Sequence, residues 1–170
     1  MAVAGRFPQE TWKLSPGDVH SFLTSSFRGI RGMYATSTPE EPPEDPLELY
    51  EFESCPYCRK VREVLTELDL EYISRTSATG SRHRPRVEQM GGQQQFPFLV
   101  DPNTDLQMYE SEDIIDYLAE QYGDGRLPMA RLASPLNTIT AGISTLVRPR
   151  GGRVREGLDD REDPDKLLEL

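Results

Sequence analysis

The stretch that decides the fold is "LELYEFESCPYCRKVREVLTEL", residues 47 to 68. It begins with a short apolar run that is typical of a β-strand: Leu47, Leu49, Tyr50 and Phe52. From Pro56 onward the apolar residues recur at helical spacing: Val61, Val64, Leu65 and Leu68. Proline suits the first turn of a helix, where its missing N–H costs nothing. The pattern therefore predicts a strand followed by a helix, with Cys55 at the N-terminus of that helix.

Cys55 and Cys58 are the only two cysteines in the 170 residues. A structural zinc site needs about four Cys or His ligands, and neither His20 nor His83 lies at a ligand-like spacing from a partner. A disulfide that closes so short a loop stabilises little, and nothing in the sequence indicates a secreted cystine-rich domain. The pair therefore predicts thiol reactivity, with an inert buried pair as the alternative.

Composition limits the classes of protein. With 36% apolar residues the chain is able to bury one core, so we expect one compact domain with tails. The net charge of -10 argues against nucleic acid and against an anionic membrane surface as partners. No stretch reaches the roughly 18 apolar residues of a membrane span, since residues 132 to 147 are interrupted by polar side chains.

Three zones follow from the distribution of prolines, glycines and charges. Residues 1–46 are predicted to be an N-terminal extension, compatible with either an organelle transit peptide or a loosely ordered tail, and a linker. The linker is "TSTPEEPPEDP", residues 36 to 46, where prolines and acids exclude a helix or a central strand. Residues 47–123 are the predicted domain, and residues 124–170 a polar C-terminal connector.

Further segments complete the predicted domain. They are a strand at "EYISR" (71–75), a short helix at "RPRVEQM" (84–90) closed by Gly91 and Gly92, a hairpin of "FPFLVD" and "DLQMYE" around "DPNT", and a last helix capped by Ser111. The predicted order is βαβαββα, an α/β fold.

That order, with a cysteine pair at the first strand–helix junction, resembles the thioredoxin-like domain of glutaredoxins and of the N-terminal half of glutathione S-transferases. "CPYC" at 55–58 is similar to the dithiol glutaredoxin centre, "FPF" at 96–98 to the cis-proline loop, and "ES" at 110–111 to the glutathione-binding turn. Three longer stretches resemble plastid and cyanobacterial proteins with tandem domains: "LYEFESCPYCRKVRE", "QMGGQQQFPFLVDPNT" and "MYESEDIIDYL". The resemblance implies a four-stranded mixed sheet with flanking helices.

The two thiols have different expected roles. Unpaired N–H groups at a helix start stabilise an anion, so we expect a lowered pKa for Cys55, the catalytic nucleophile. Cys58 lies one turn further on the same face and points inward, and it is the expected resolving thiol. Cys55 attacks a disulfide, and Cys58 or free glutathione resolves the mixed disulfide.

The resemblance implies that glutathione is the cofactor and identifies its binding residues, with Tyr57 as part of the motif. Pro97 is expected to be cis and to present the backbone of Phe96 to the cysteine part of glutathione. Ser111, from the residues alone a helix cap, is expected to bind the γ-glutamyl carboxylate, and Glu110 the α-amino group. The two roles of Ser111 are compatible, because a helix start is also an anion site.

The sequence departs from the glutaredoxin pattern around the motif. Many glutaredoxins have a basic residue before the nucleophile, whereas Glu51 and Glu53 lie there in this chain. Two anions oppose thiolate formation, and Arg59 and Lys60 are candidates to offset them. Candidate residues for the glycyl carboxylate of glutathione lie at 93–95 and 82–86.

Three functions are consistent with these features. The first is a glutathione-dependent thiol-disulfide oxidoreductase, acting on protein or glutathione mixed disulfides, which both cysteines favour. The second is a glutathione transferase or isomerase, and the third is a non-catalytic binding module on the same fold. The resemblance implies the chloroplast stroma, with the cytoplasm as the alternative.

A short internal similarity predicts a second thioredoxin-like domain. "EDPLEL" at 44–49 leads into the first strand, and "EDPDKLLEL" at 162–170 is similar to it with a short insertion. In the tandem proteins that the chain resembles, the second domain begins after such a connector. We therefore expect residues 124–170 to lead to a second domain that this chain lacks.

Overall fold

The computed structural model of the chain describes residues 34–39, 41–124, 139 and 141–143. Most of the predicted N-terminal extension lies outside the described residues, as do nearly all of the predicted connector and its "EDPDKLLEL" similarity. The predictions about those segments and about the domain boundaries therefore stay predictions. Within the described residues, no helix is long and apolar enough to cross a membrane.

Within residues 47–122, four strands and three helices follow one another in the predicted order, βαβαββα. They are β1 (Leu47–Glu51), α1 (Pro56–Glu67), β2 (Tyr72–Thr76), α2 (His83–Gly91), β3 (Phe98–Asp101), β4 (Leu106–Met108) and α3 (Ser111–Tyr122). The predicted elements lie within a few residues of these bounds, and the α/β thioredoxin-like fold class is confirmed.

The sheet is mixed, with strand order β2-β1-β3-β4. β1 pairs in parallel with β2, so Leu49 lies opposite Ser74, and α1 provides the crossover between the two strands. β3 is antiparallel to β1 and to β4, with Leu99 opposite both Leu49 and Met108. β1 is therefore a central strand, and the cysteine motif begins at its carboxyl end.

The sheet buries a different apolar cluster on each face. The larger cluster lies under α1 and α3: Leu47, Leu49, Val61, Val64, Leu65, Leu68, Leu70, Leu99, Ile114, Ile115, Leu118 and Tyr122. The smaller cluster lies under α2 and consists of Tyr50, Val87 and Phe98. Alternate residues of β1 serve the two faces, because successive side chains of a strand point in opposite directions. Leu47 and Leu49 thus contact the side of the sheet on which α1 packs.

A buried carboxylate ties the last helix to the hairpin. Asp101, which is fully buried at the end of β3, accepts hydrogen bonds from the hydroxyls of Tyr117 at 2.6 Å and Tyr122 at 2.5 Å. Burial alone would raise the pKa of Asp101, but hydrogen bonds from the two tyrosines and Asn103 outweigh it and lower the pKa. α3 is therefore fixed by polar as well as apolar contacts.

The start of α3 differs from the prediction. Ser111 is the first helical residue and not the cap; the N-cap position is held by Glu110, whose φ is 64° and whose side chain makes no capping hydrogen bond. Serine is a common N-cap, which is why its position suggested one. The chain instead turns in the left-handed region at Glu110, and this turn brings Ser111 into the helix and buries it, with 5% of its surface exposed.

Candidate functional site

The cysteine motif forms the junction between β1 and α1. Cys55 is the N-cap residue of α1, in extended conformation, and Pro56 is the first helical residue, as predicted. The backbone N–H of Cys58 donates to the Cys55 sulfur over 3.2 Å. Both thiols are free and buried, Cys55 with 4% and Cys58 with 0% of its surface exposed, whereas Tyr57 between them is 48% exposed. The outer face of the motif is thus formed by the tyrosine.

The surroundings of the two thiols move their pKa values in opposite directions. The pKa of Cys55 is lowered, above all by a hydrogen bond from the Cys58 thiol, while burial opposes the shift and backbone N–H groups of Cys58 and Tyr57 support it. The pKa of Cys58 is strongly raised, first by burial and then by its hydrogen bond to Cys55 and the charge of Cys55. The arrangement therefore favours one thiolate at Cys55 and one protonated thiol at Cys58.

Glu51 is a buried carboxylate beside the motif. It is 5% exposed; its Oε1 accepts a hydrogen bond from the Ser74 hydroxyl at 2.9 Å, and its Oε2 lies 3.3 Å from Nε of Arg62. Its charge opposes ionisation of both Cys55 and Cys58, as predicted for Cys55. The hydrogen bonds at Cys55 outweigh this opposition, so the net pKa shift of Cys55 is still downward.

The basic residues near the motif have carboxylate partners in the structure. Arg59 pairs with Glu63 on its own helix at 3.3 Å, and the buried Lys60 pairs with Glu112 of α3. The cation beside Glu51 is instead Arg62, which also contacts Glu53 over 2.5 Å.

Sequence reasoning missed the role of Arg62, although its position carried a signal. Arg62 lies four residues after Cys58, so the two share one face of α1. That spacing was available from the sequence, but the burial of its acidic partner was not.

The cis-proline loop contacts the cysteine loop through aromatic rings. The Phe96–Pro97 peptide bond is cis, as predicted, and Pro97 is buried. The rings of Phe96 and Phe52 meet edge to face with centroids 6.0 Å apart. The guanidinium of Arg84 lies 4.8 Å from the centre of the Phe96 ring and 5.8 Å from that of Phe52. Three segments of the chain are thereby packed together at this edge of the sheet.

Arg84 is fixed from its other side as well. Its Nε donates to the backbone carbonyls of Ser77 at 3.0 Å and Ala78 at 3.1 Å, at the end of β2. Arg84 belongs to the candidate range 82–86 for the glycyl carboxylate. These contacts orient its guanidinium beside the two phenylalanine rings.

The turn that is predicted to bind glutathione adjoins the cis-proline loop. The carboxylate of Glu110 accepts a hydrogen bond from the side-chain amide of Gln95, the residue before Phe96. The Lys60–Glu112 pair joins the first turn of α3 to the cysteine helix. Ser111 lies between these two contacts in sequence and is buried.

The predicted site residues therefore lie on segments that contact one another. The cysteine loop contacts the cis-proline loop, and that loop contacts the turn at Glu110. The assignment of individual residues to parts of glutathione stays a prediction. Among the described residues, no group of three or more His, Cys, Asp or Glu side chains is placed to hold a metal ion.

Comparison with known families identifies the domain. A family model described as "Glutathione S-transferase, N-terminal domain" matches residues 49–126. Residues 49–126 are therefore similar to the N-terminal domain of glutathione S-transferases. The expected kinship with the thioredoxin-like domains of glutaredoxins and glutathione S-transferases is thus confirmed. The special closeness to plastid and cyanobacterial tandem proteins stays a prediction.

Solved structures are similar to part of the chain. Glutathione transferase BmGSTD1 of Bombyx mori in complex with GTT is 28% identical, over 49% of this chain and 39% of that one, with a TM-score of 0.44. URE2P6 of Phanerochaete chrysosporium in its apo form is 32% identical, over 48% and 44% of the two chains, with a TM-score of 0.35. The chain thus spans less than half the length of these proteins. A search of curated proteins found no match.

Proposed function

We propose that the protein is a glutathione-dependent thiol-disulfide oxidoreductase of the glutaredoxin type. The observation that carries the proposal is the asymmetry of the two thiols: Cys55 caps a helix and has a lowered pKa, whereas the buried Cys58 has a raised one. Disulfide exchange needs a thiolate nucleophile and a second thiol that acts later. The pair supplies both from adjacent turns of one helix.

The reaction begins at Cys55. Its thiolate attacks the glutathione sulfur of a protein–glutathione disulfide; the old S–S bond breaks, and the protein leaves as a thiolate that takes up a proton. The product is a Cys55–glutathione mixed disulfide. A second glutathione thiolate then attacks the glutathione sulfur of this adduct, which releases oxidised glutathione and restores the Cys55 thiolate.

Protein disulfides require the second thiol. Attack by Cys55 on such a disulfide leaves the substrate bound to the enzyme, and Cys58 releases it by forming a Cys55–Cys58 disulfide. Two glutathione molecules reduce that disulfide and leave as oxidised glutathione. Mixed disulfides of proteins and glutathione are therefore the proposed partners.

Glutathione is proposed to lie across the cis-proline loop and the turn at Glu110. The backbone of Phe96, beside Pro97, pairs with the cysteine part, and Glu110 and Ser111 bind the γ-glutamyl end. The contact between Gln95 and Glu110, which holds these two segments together, supports this arrangement. Tyr57 is the exposed residue of the motif and forms the outer rim.

The two cysteines are expected to respond differently to substitution. Cys55→Ser should abolish reduction of a glutathionylated peptide by glutathione, because no thiolate remains to attack. Cys58→Ser should retain that reaction but lose reduction of a protein disulfide, which needs the resolving thiol. The rates are measured by coupling oxidised glutathione to glutathione reductase and NADPH.

Each variant is the control for the other, since both remove one buried sulfur from the same helix. Equal loss of peptide deglutathionylation in both variants would contradict the assigned order of attack. Full activity of Cys55→Ser would mean that Cys55 is not the nucleophile, and absence of activity in the wild-type chain would favour the binding module instead.

A second candidate function is glutathione transfer to an electrophile, which the match to a transferase N-terminal domain favours. The two functions differ in product: the oxidoreductase yields oxidised glutathione, and the transferase yields a thioether. Incubating the chain with glutathione and 1-chloro-2,4-dinitrobenzene and measuring the conjugate distinguishes them. Conjugation that persists in Cys55→Ser would favour the transferase.

We also propose that a second thioredoxin-like domain works beside this one. The similarity of "EDPLEL" at 44–49 to "EDPDKLLEL" at 162–170 supports the idea. Affinity capture with the Cys58→Ser variant, which traps mixed disulfides, tests for such a partner.

A further inference from the structure

Glu51 is a buried ionisable group for which the exchange chemistry above has no use. It is the last residue of β1, and its side chain points to the face of the sheet that α1 covers, like Leu47 and Leu49 before it. A carboxylate with 5% of its surface exposed costs free energy unless it is compensated. A buried charge at the end of the strand that carries the cysteine motif points to a role in the reaction.

The carboxylate of Glu51 contacts the stripe of α1 that contains Cys58 and Arg62. Arg62, one turn after Cys58 on that stripe, has its Nε 3.3 Å from Oε2 of Glu51. From the other direction, the carbonyl of Phe52, the residue next to Glu51, accepts a hydrogen bond from the backbone N–H of Cys55 over 3.0 Å, which joins the end of β1 to the start of the cysteine helix. The electrostatic influence of Glu51 on both thiols agrees with this proximity.

One oxygen of Glu51 remains available to accept a proton. Oε1 is engaged by the Ser74 hydroxyl at 2.9 Å. Oε2 is buried and accepts no hydrogen bond from the residues that the structure describes, because the N–H of Arg62 is near but not aligned with it. Oε2 therefore has a cation beside it and an unused lone pair.

We infer that Glu51 is the proton acceptor for Cys58 when Cys58 resolves the mixed disulfide on Cys55. The inference rests on the proposed oxidoreductase function and assigns one of its steps. The Cys58 thiol gives its proton to Oε2 of Glu51, directly or through one water, and the new thiolate attacks the Cys55 sulfur. The bond between Cys55 and glutathione breaks; the glutathione thiolate leaves and takes the proton back from Glu51. The Cys58 thiol and the Cys55–glutathione disulfide thus become the glutathione thiol and the Cys55–Cys58 disulfide.

The charges around Glu51 determine when this proton transfer occurs. In the reduced enzyme the Cys55 thiolate is an anion that holds the Cys58 proton by a hydrogen bond and raises the pKa of Cys58. Once Cys55 is joined to glutathione, that anion and that acceptor are gone. The same loss of a neighbouring anion favours the ionised form of Glu51. The carboxylate is therefore ready to accept a proton when Cys58 must lose one.

The groups that face Glu51 determine the pH range. Burial raises its pKa, and the charge of Arg62 and the hydrogen bond from Ser74 act against this. The titratable and charged groups around it are Arg62, Cys55 and Cys58 of the cysteine helix and its cap, Tyr72 of β2, and Glu53 of the intervening loop. A base works only when it is deprotonated, so resolution should accelerate with rising pH through the pKa of Glu51 and then level off.

Single-turnover release of glutathione measures the step directly. The full chain is converted at acid pH to the Cys55–glutathione mixed disulfide with oxidised glutathione, and the excess is removed. After a jump to a series of higher pH values, glutathione release is followed by acid quench and chromatography. In Glu51→Gln we expect release at neutral pH to be about 100-fold slower, and the levelling-off to be lost.

Three further variants separate proton transfer from a structural effect. Arg62→Gln removes the cation that favours the carboxylate, so the rise in rate should move to higher pH. Glu53→Gln removes an anion that contacts the same arginine and raises the pKa of Glu51. The rise in rate should therefore move slightly to lower pH. In a Cys58→Ser background, Glu51→Gln should not slow deglutathionylation by external glutathione, because loss of a neighbouring anion favours the Cys55 thiolate.

The outcomes that overturn the inference are distinct. An unchanged pH profile in Glu51→Gln overturns it, and so does slower release with the same levelling-off, which would make Glu51 structural. If Glu51→Gln does not fold, an unshifted profile in Arg62→Gln overturns it instead. Failure of the wild-type chain to form any Cys55–glutathione adduct overturns the proposed function and this inference together, whereas normal adduct formation limits the failure to Glu51.

Discussion

At the scale of single residues, the reactivity of Cys55 depends more on its neighbour than on the helix. The sequence predicted a lowered pKa from the position at a helix start. The structure has the same direction, but the hydrogen bond from the Cys58 thiol is the largest cause, and the backbone N–H groups add to it. The second cysteine therefore prepares the first thiolate as well as resolving its products.

This dependence predicts the effect of Cys58→Ala on alkylation. Loss of a donor destabilises the Cys55 thiolate, so its pKa should rise toward the ordinary value for cysteine, about 8.5. The rate of iodoacetamide alkylation as a function of pH should accordingly have its midpoint at higher pH in Cys58→Ala than in the wild type. Glu51→Gln is the matched control, since removal of an anion should move the midpoint the other way. A midpoint that is lower in Cys58→Ala would contradict the assigned hydrogen bond.

Residue types predicted some features of the site and not others. The cis bond at Pro97 and the helix-capping position of Cys55 followed from motifs, because those motifs specify local backbone geometry. The Lys60–Glu112 pair did not, since the two residues are 52 positions apart and only the packing of α1 on α3 brings them together. Burial of Glu51 was equally hidden, because a glutamate at the end of a strand is usually solvated.

At the scale of elements, the end of α2 depends on two successive glycines with different constraints. Gly92 has a φ of 83° and closes the helix, with its N–H bonded to the carbonyl of Glu88. A Cβ there would meet nothing within 4 Å, so the constraint on Gly92 is its left-handed backbone conformation and not a lack of space. A Cβ on Gly91 would lie 2.1 Å from the hydroxyl oxygen of Tyr109 and 2.6 Å from its ring.

The two glycines therefore predict different costs for alanine. Gly92→Ala should lower the free energy of unfolding by about 1 kcal/mol, the cost of a left-handed conformation for a residue with a Cβ. Gly91→Ala should cost about 1–3 kcal/mol, since the ring of Tyr109 is packed against Phe98 with centroids 4.5 Å apart. Urea unfolding of both variants measures the difference. Gly92→Asn is the control and should lose less than Gly92→Ala; a larger loss would contradict the backbone explanation.

The order of elements was predictable, whereas the geometry of one turn was not. The change in the spacing of apolar residues, from strand-like to helical, predicted β1 and α1, and Gly91 and Gly92 predicted the end of α2. The predicted N-terminus of α3 was wrong by one residue, because nothing in the sequence of residues 109–111 indicates that Glu110 adopts a φ of 64°. That turn depends on contacts between β4, α3 and the cis-proline loop, and such contacts are absent from local sequence.

At the scale of the whole molecule, the two described apolar clusters lie between β1 and α3. Every member of both apolar clusters lies between Leu47 and Tyr122. Segments before the domain add a local contact, in which the backbone N–H groups of Thr36 and Ser37 donate to the carbonyl of Glu67, near the end of α1. The apolar clusters that pack around the cysteine motif therefore lie within the domain, and beyond it Ala141 is also buried.

This placement predicts that residues 152–170 contribute little to the stability of the domain. Their deletion should change the free energy of unfolding by less than about 1 kcal/mol, because no described member of the two apolar clusters belongs to this segment. Thermal and urea unfolding of the full and shortened chains test this. The result would also agree with the idea that the segment leads to a second domain.

Tyr122→Phe is the reference variant for that measurement, since its loss of stability is compared with that of the deletion. It removes the hydroxyl that donates to the buried Asp101 over 2.5 Å and leaves the ring in the core. Loss of one donor to a buried carboxylate should cost about 1–3 kcal/mol. The effect should fade at acid pH, because the lowered pKa of Asp101 stabilises the fold only while the carboxylate is ionised, and this stability is lost as pH falls through the folded-state pKa. A deletion of residues 152–170 that costs as much as Tyr122→Phe at neutral pH would mean that the tail belongs to the core of this domain, and the expectation of a connector would be wrong.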